Sequence, residues 1–143
     1  METLLPVLVV DDEPAIRALV AKIVERAGLR VDTASDGLEA MSMLAKRRYA
    51  VLVLDLNMPH MNGIDVIESL KRYTPPKPAI IVISASDSVI LRQLDGSMVH
   101  SIVRKPFDID VLGDLVAAAA RTIAAADTQG AAGGEVLPFP SAS

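Results

Sequence analysis

Five short aliphatic runs recur through the sequence, each followed by a stretch whose apolar residues fall at helical spacing. Leu4 to Val10, Ala50 to Leu54 and Ala79 to Ile83 are almost unbroken aliphatic, as expected of strands buried on both faces. Leu29 to Ala34 alternates loosely, as a strand near a sheet edge would, and Met98 to Val103 is a shorter fifth run. Between them, Ile16, Leu19, Val20, Ile23 and Val24 mark a first helix that Gly28 is placed to end. Ala40, Met41 and Leu44 mark a second helix, entered through Ser35-Asp36-Gly37 and closed by Lys46, Arg47 and Arg48 at the negative end of its dipole. Ile64, Ile67 and Leu70 mark a third, running to about Arg72. Ser88 to Leu94 predicts a short fourth, and Asp108 caps an Ala-rich fifth with Val111, Leu112, Leu115, Val116 and Ile123 on its apolar side.

Strand and helix alternate throughout, which calls for a parallel sheet covered by helices on both faces, with right-handed crossovers. Residues 4–126 form one domain on this reading. From 127 to 143 the composition shifts to Gln, Gly, Ala, Pro and Ser, which predicts a disordered tail or a linker.

Composition narrows the function. Of 143 residues 51% are hydrophobic but only 3% aromatic, so the core must be aliphatic. A net charge of -4 argues against a nucleic-acid or anionic-membrane surface, which needs a clustered positive field. The absence of Cys excludes disulfides, thiolate metal sites and Cys nucleophiles. With neither a signal peptide nor a run of the ~20 apolar residues needed to span a membrane, the expectation is a soluble cytoplasmic protein.

The candidate chemistry lies at the strand ends. The first strand ends in Asp11 and Asp12, the third in Asp55, the fourth in Ser84, and the fifth runs into Lys105. In a parallel sheet all five meet at the carboxyl edge, where open α/β sheets bind their ligands. Three crowded carboxylates repel one another unless a cation joins them, and hard oxygen ligands suit Mg²⁺. A metal, a carboxylate, a hydroxyl and an ammonium together describe a phosphoryl site, in which an Asp can act as nucleophile toward phosphorus. Singly, each residue has an ordinary explanation: Asp12 as an N-cap, Asp55 as a turn former, Ser84 as a cap, Lys105-Pro106 as a helix entrance. All would have to hold at one rim at once. His60 and His100 have no partner at ligand spacing and are read as surface or loop residues.

With these motifs in order, V-L-V-V-D-D-E-P at Val7 to Pro14, L-D-L-N-M-P-H-M-N-G-I-D at Leu54 to Asp65, S-A at Ser84 and Ala85 and K-P-F at Lys105 to Phe107, the sequence resembles the receiver domain of two-component response regulators, in a stand-alone, chemotaxis-regulator-like form. The resemblance implies a flavodoxin-like doubly wound α/β fold of five parallel strands, in the order 2-1-3-4-5, with five helices. It implies that Asp55 accepts a phosphoryl group from a phosphohistidine on a sensor histidine kinase or a histidine phosphotransfer protein. It further implies that Asp11, Asp12, Asp55 and the Asn57 carbonyl hold Mg²⁺, or Mn²⁺ in its place. Lys105 would bind the phosphate, Ser84 and Ala85 would form the switch, and Asn57 and Ser86 would tune phosphate lifetime.

Two departures stand out. Receivers commonly carry Tyr or Phe three residues before the lysine, where this chain has Ile102, which presents neither ring nor hydroxyl to a partner. The Gly-Ala pair usual before the fifth strand is replaced by Gly96 to Ser101 with different spacing. The expected protein catalyses only its own phosphorylation and dephosphorylation, and acts through protein contacts as a monomer or a phosphorylation-dependent dimer. It makes no nucleic-acid or membrane contact through this domain, and its downstream partner is unidentified. A phosphohydrolase resembling the haloacid dehalogenases is the enzymatic alternative, but it needs a second Asp where Asn57 stands. A pseudo-receiver docking domain is the third.

Overall fold

Val7 to Val10 alternate between two interiors, because successive side chains of a strand point to opposite faces. A computed structural model describes residues 4–58, 62–73, 77–85, 92, 94 and 96–136, with side chains described as far as residue 124. The element order is β1 (Val7–Val10), α1 (Pro14–Arg26), β2 (Val31–Ala34), α2 (Gly37–Lys46), β3 (Val51–Asp55), α3 (Gly63–Leu70), β4 (Ala79–Ser84), β5 (Ser101–Arg104) and α4 (Ile109–Val136). All pairings are parallel and the sheet order is β2-β1-β3-β4-β5, the flavodoxin-like arrangement.

Each sheet face has its own core. Val7, Val9, Val51, Val53, Ile81 and Ile83 pack with Val20, Ile23 and Val24 of α1 and Leu112 and Val116 of α4. Leu8, Val10, Leu52, Leu54, Ile80 and Val82 pack with Ala40 and Leu44 of α2 and Val66, Ile67 and Leu70 of α3. The central strands are therefore aliphatic at every position, and polarity returns only at their carboxyl ends.

Local signals explain most boundaries. Pro14 sits at the start of α1, where its missing N–H costs nothing, and Gly28 ends the turn after α1 at φ +88°. Asp36 caps α2 through the Glu39 amide, and Asp108 Oδ1 accepts from the Val111 amide at the head of α4. Asn62 and Asp65 cap α3 reciprocally, each side chain accepting from the other's backbone.

Some expectations shift. Among the described residues there are four helices, and the one expected over 88–94 lies largely outside them. α4 continues to Val136, whereas composition predicts a tail or linker from 127; extending a helix already nucleated costs far less than starting one. Leu19 and Val111 are exposed (40% and 51%), because the stripe that α1 and α4 bury is narrower than their apolar pattern. The fifth strand begins at Ser101 rather than Met98, since residues 96–98 form a turn.

Candidate functional site

The parallel register brings the strand ends to one rim. Val10 pairs with Leu54 and Asp55 with Ile83, so Asp11 and Asp55 leave neighbouring strands side by side. Ser84 pairs with Arg104, and the Lys105 amide donates to the Ser84 carbonyl at 2.8 Å, which brings Lys105 back to the same rim. Asp11, Asp12 and Asp55 each place a carboxylate oxygen within 4.8 Å of the others. Lys105 Nζ stands 3.9 Å from Asp11 Oδ2 and 3.8 Å from Asp55 Oδ1.

Asp11 and Asp55 are buried while Asp12 is exposed. Burial pushes Asp55 up to about 6; the charges of Asp11 and Asp12 add to that rise, and the Asn57 amide and Lys105 oppose it. Burial also raises Asp11, against the opposing Glu13 amide and Lys105. The Lys105 ammonium pairs with two of the three clustered carboxylates, so the cluster carries an excess of negative charge. The donor set is all hard oxygen, buried on the sheet side and open at Asp12, which fits Mg²⁺ held by carboxylates with part of its water shell retained.

Backbone donors orient the carboxylates. The Glu13 amide donates to Asp11 Oδ1 at 2.9 Å and the Asn57 amide to Asp55 Oδ1 at 3.2 Å. Asp12 is therefore not the cap of α1: Glu13 occupies that position without a side-chain bond, and the neighbouring Asp11 carboxylate satisfies the turn. This leaves Asp12 turned to solvent beside its two buried neighbours.

Ser84 is fully buried at the end of β4 and Ala85 follows it, exposed. Asn57 is exposed in the loop after β3. Ile102 lies on the edge strand opposite Val82 and is 48% exposed, an outward aliphatic at the position where an aromatic was noted as missing. Ser86 and His60 lie outside the described residues; His100 is exposed, its ring bonded to Ser101.

Two supporting residues escape a reading of the sequence. Arg17, one turn into α1, donates from Nη1 to the Asp11 carbonyl at 2.9 Å and ties the acidic turn to the helix. A Cβ on Gly63 would lie 2.7 Å from the Asp55 carbonyl oxygen and 2.8 Å from Leu56 Cα. Glycine thus lets α3 begin against the end of β3. No spacing in the sequence marks the first, a side chain bonded to a backbone carbonyl six residues earlier, and the second falls within the motif from Leu54 to Asp65 without its close contact being legible there.

Comparison with known proteins points the same way. The family model for the response regulator receiver domain matches residues 7–117. Sporulation initiation phosphotransferase F of Bacillus subtilis (strain 168) is 30% identical, over 77% of this chain and 89% of that protein. The probable transcriptional regulatory protein TcrX of Mycobacterium tuberculosis is 36% identical over 73% of this chain, which spans only 44% of that protein's length. Among solved structures, the receiver domain of Francisella response regulator 1452 superposes with a TM-score of 0.73 at 29% identity, covering 82% of this chain and 98% of that one. A response regulator receiver protein from Pseudomonas putida gives 0.74 at 25% identity, with 81% and 98% covered.

Proposed function

This chain belongs to the response regulator receiver family, and on that footing we propose that Asp55 accepts a phosphoryl group and that the modified protein exchanges protein partners. The observation that carries the assignment is Asp55 buried at the end of the central strand, with Lys105 Nζ at 3.8 Å and two further carboxylates within 4.8 Å.

The ionised Asp55 carboxylate attacks phosphorus; the Oδ–P bond forms as the bond from phosphorus to the donor's imidazole nitrogen breaks, and the imidazole leaves with the electron pair. With its pKa raised to about 6 in the metal-free protein, Asp55 is already largely ionised near neutral pH, and a bound cation would favour that attacking form further. The Asn57 amide holds one carboxylate oxygen in place. Lys105 already faces Asp55 and neutralises charge that builds on the phosphoryl oxygens, while the Ser84 hydroxyl and the Ala85 backbone lie at the next strand end to bond them. Asp11, Asp12, Asp55 and the Asn57 carbonyl would hold Mg²⁺, which when bound supplies charge neutralisation to the phosphoryl oxygens.

The phosphodonor proposed is a phosphohistidine on a sensor kinase or phosphotransfer protein, and the protein catalyses only its own modification and its reversal. Asn57 and Ser86, two residues beyond the acceptor and the switch hydroxyl, are proposed to set the lifetime of the acyl phosphate. Among the described residues no helix is long and apolar enough to cross a membrane, and a cytoplasmic location is proposed with this chemistry.

Incubation with acetyl phosphate and Mg²⁺ tests the assignment. A single phosphoryl adduct should appear by intact mass and be lost in Asp55→Ala. An adduct that survives in that variant refutes Asp55 as acceptor. A pull-down comparing the untreated protein with its beryllofluoride form then identifies the state-dependent partner.

A further inference from the structure

Charge is segregated along the sheet. The acidic rim lies where the strands end; at the other end, where β3 and β4 begin and α2 and α3 finish, an open cleft of about 670 Å³ is lined by Lys46, Arg47, Arg48, Arg72 and Lys77 and, among the described residues, by no carboxylate. Five cations at one place in a chain of net charge -4 need an explanation.

Helix-end chemistry accounts for part of the cluster. Lys46 is in the last turn of α2, where a cation complements the dipole. Arg47 is neutralised by Asp32, whose Oδ2 lies 2.7 Å from its Nη1. Arg72 and Lys77 lie beyond α3, and that helix has no basic residue in its last turn. Lys77 Nζ donates, among the described residues, only to the neutral carbonyl of Lys71, at 3.4 Å. Among the described residues, Lys46, Arg72 and Lys77 have no ion-pair partner, so three positive charges converge on one cleft with no carboxylate paired to them. Between them the accessible apolar lining is Tyr73 and Pro78, both part-exposed, with Leu44 and Leu70 buried behind them. A cleft of this volume is of the size that holds small ligands, and an apolar floor with a cationic rim suits a ring system bearing a chain of phosphates.

We propose that the cleft between the ends of α2 and α3 binds a small polyphosphate-bearing ligand of the nucleoside di- or triphosphate class, through Lys46, Arg72 and Lys77. The site lies at the opposite end of the sheet from Asp55, and its test reads binding to the unphosphorylated chain alone.

The test is an NMR titration of the ¹⁵N-labelled full chain with ATP, and separately with inorganic tripolyphosphate. EDTA is included so that no divalent ion bridges a phosphate to the acidic rim. Saturable shifts should centre on residues 44–49, 70–73 and 77–78 and weaken as salt is raised. The triple variant Lys46→Gln, Arg72→Gln, Lys77→Gln should lower affinity for both probes by about tenfold or more, while Lys22→Gln, on exposed α1 surface, should not. A circular dichroism melt confirms that the triple variant, altered only at solvent-accessible positions, is folded. Tighter binding of ATP than of tripolyphosphate shows that the apolar floor takes the base, and equal binding shows that the phosphate chain suffices; either supports the site. No saturable shift up to about 5 mM probe, shifts centred elsewhere, or unchanged affinity in the triple variant would overturn it. Binding of a single-stranded oligonucleotide without binding of tripolyphosphate would overturn it equally.

Discussion

Lys105 Nζ stands 3.8 Å from Asp55 Oδ1, an ion pair too long to be a hydrogen bond, formed by residues that α3, β4 and β5 separate in sequence. Its attraction to two buried carboxylates makes it the cation that keeps the metal-free rim together. Lys105→Ala should cost about 1 kcal/mol in metal-free buffer, a modest figure because the side chain is partly solvated. The same change removes a like charge from beside the metal site, so added Mg²⁺ should stabilise the variant more than the parent. Thermal melts in EDTA and in Mg²⁺ check both signs.

Asp55→Asn should act in the opposite direction. Burial and the neighbouring Asp11 and Asp12 charges oppose ionisation of Asp55, so an uncharged isostere should raise metal-free stability at pH 7 by about 1–2 kcal/mol. The variant should also gain less from Mg²⁺ and give no phosphoryl adduct. Urea denaturation with and without the metal would measure the difference.

Gly63→Ala puts a methyl group against backbone atoms at 2.7 and 2.8 Å, and neither can swing aside. The loop between β3 and α3 must shift, at a cost of about 1–3 kcal/mol. Because the contact is with the Asp55 carbonyl itself, the rate of adduct formation with acetyl phosphate should fall even at temperatures where the variant is fully folded.

Away from the rim, the Tyr49 hydroxyl donates to Asp32 Oδ2 at 2.7 Å, and Arg47 bonds the same oxygen. Burial, then the bond to Asp32, pushes Tyr49 up to about 12. The folded value is raised, so the interaction stabilises fully below the ordinary tyrosine range of about 10 and is lost as pH rises through 12. Asp32 has the reverse sign: burial opposes its ionisation, but Tyr49 and Arg47 outweigh it and hold the carboxyl below its usual value. Its contribution is present above the unfolded value of about 3.9 and lost as pH falls through the depressed folded one. Tyr49→Phe should cost about 1 kcal/mol at pH 7 and remove the late component of tyrosinate absorbance in an alkaline titration.

The sheet was legible because β1, β3 and β4 are aliphatic at successive positions, which only burial on both faces permits, and the acidic and basic strand ends then had one rim on which to meet. Asp11, Asp12, Asp55, Ser84 and Lys105 could be named from that logic. What the sequence hid were contacts made by shape or backbone. Gly63 looks like any loop glycine until the end of β3 is placed beside it. Asp12 reads as the N-cap of α1, whereas Glu13 holds that position and gives its amide to Asp11, because periodicity locates a helix more reliably than the turn before it. Leu19 and Val111 fit the helical spacing yet face solvent, since spacing gives the direction of a stripe and not its width.

Neighbouring residues of β3 answer to different layers: Val53 touches the core under α1 and α4, and Leu54 the core under α2 and α3. If Asp55 is phosphorylated as proposed, any displacement of that strand would reach both outer layers, which face away from each other. One chemical event can thus be reported to two listeners at once, and a substitution that deafens one need not silence the other.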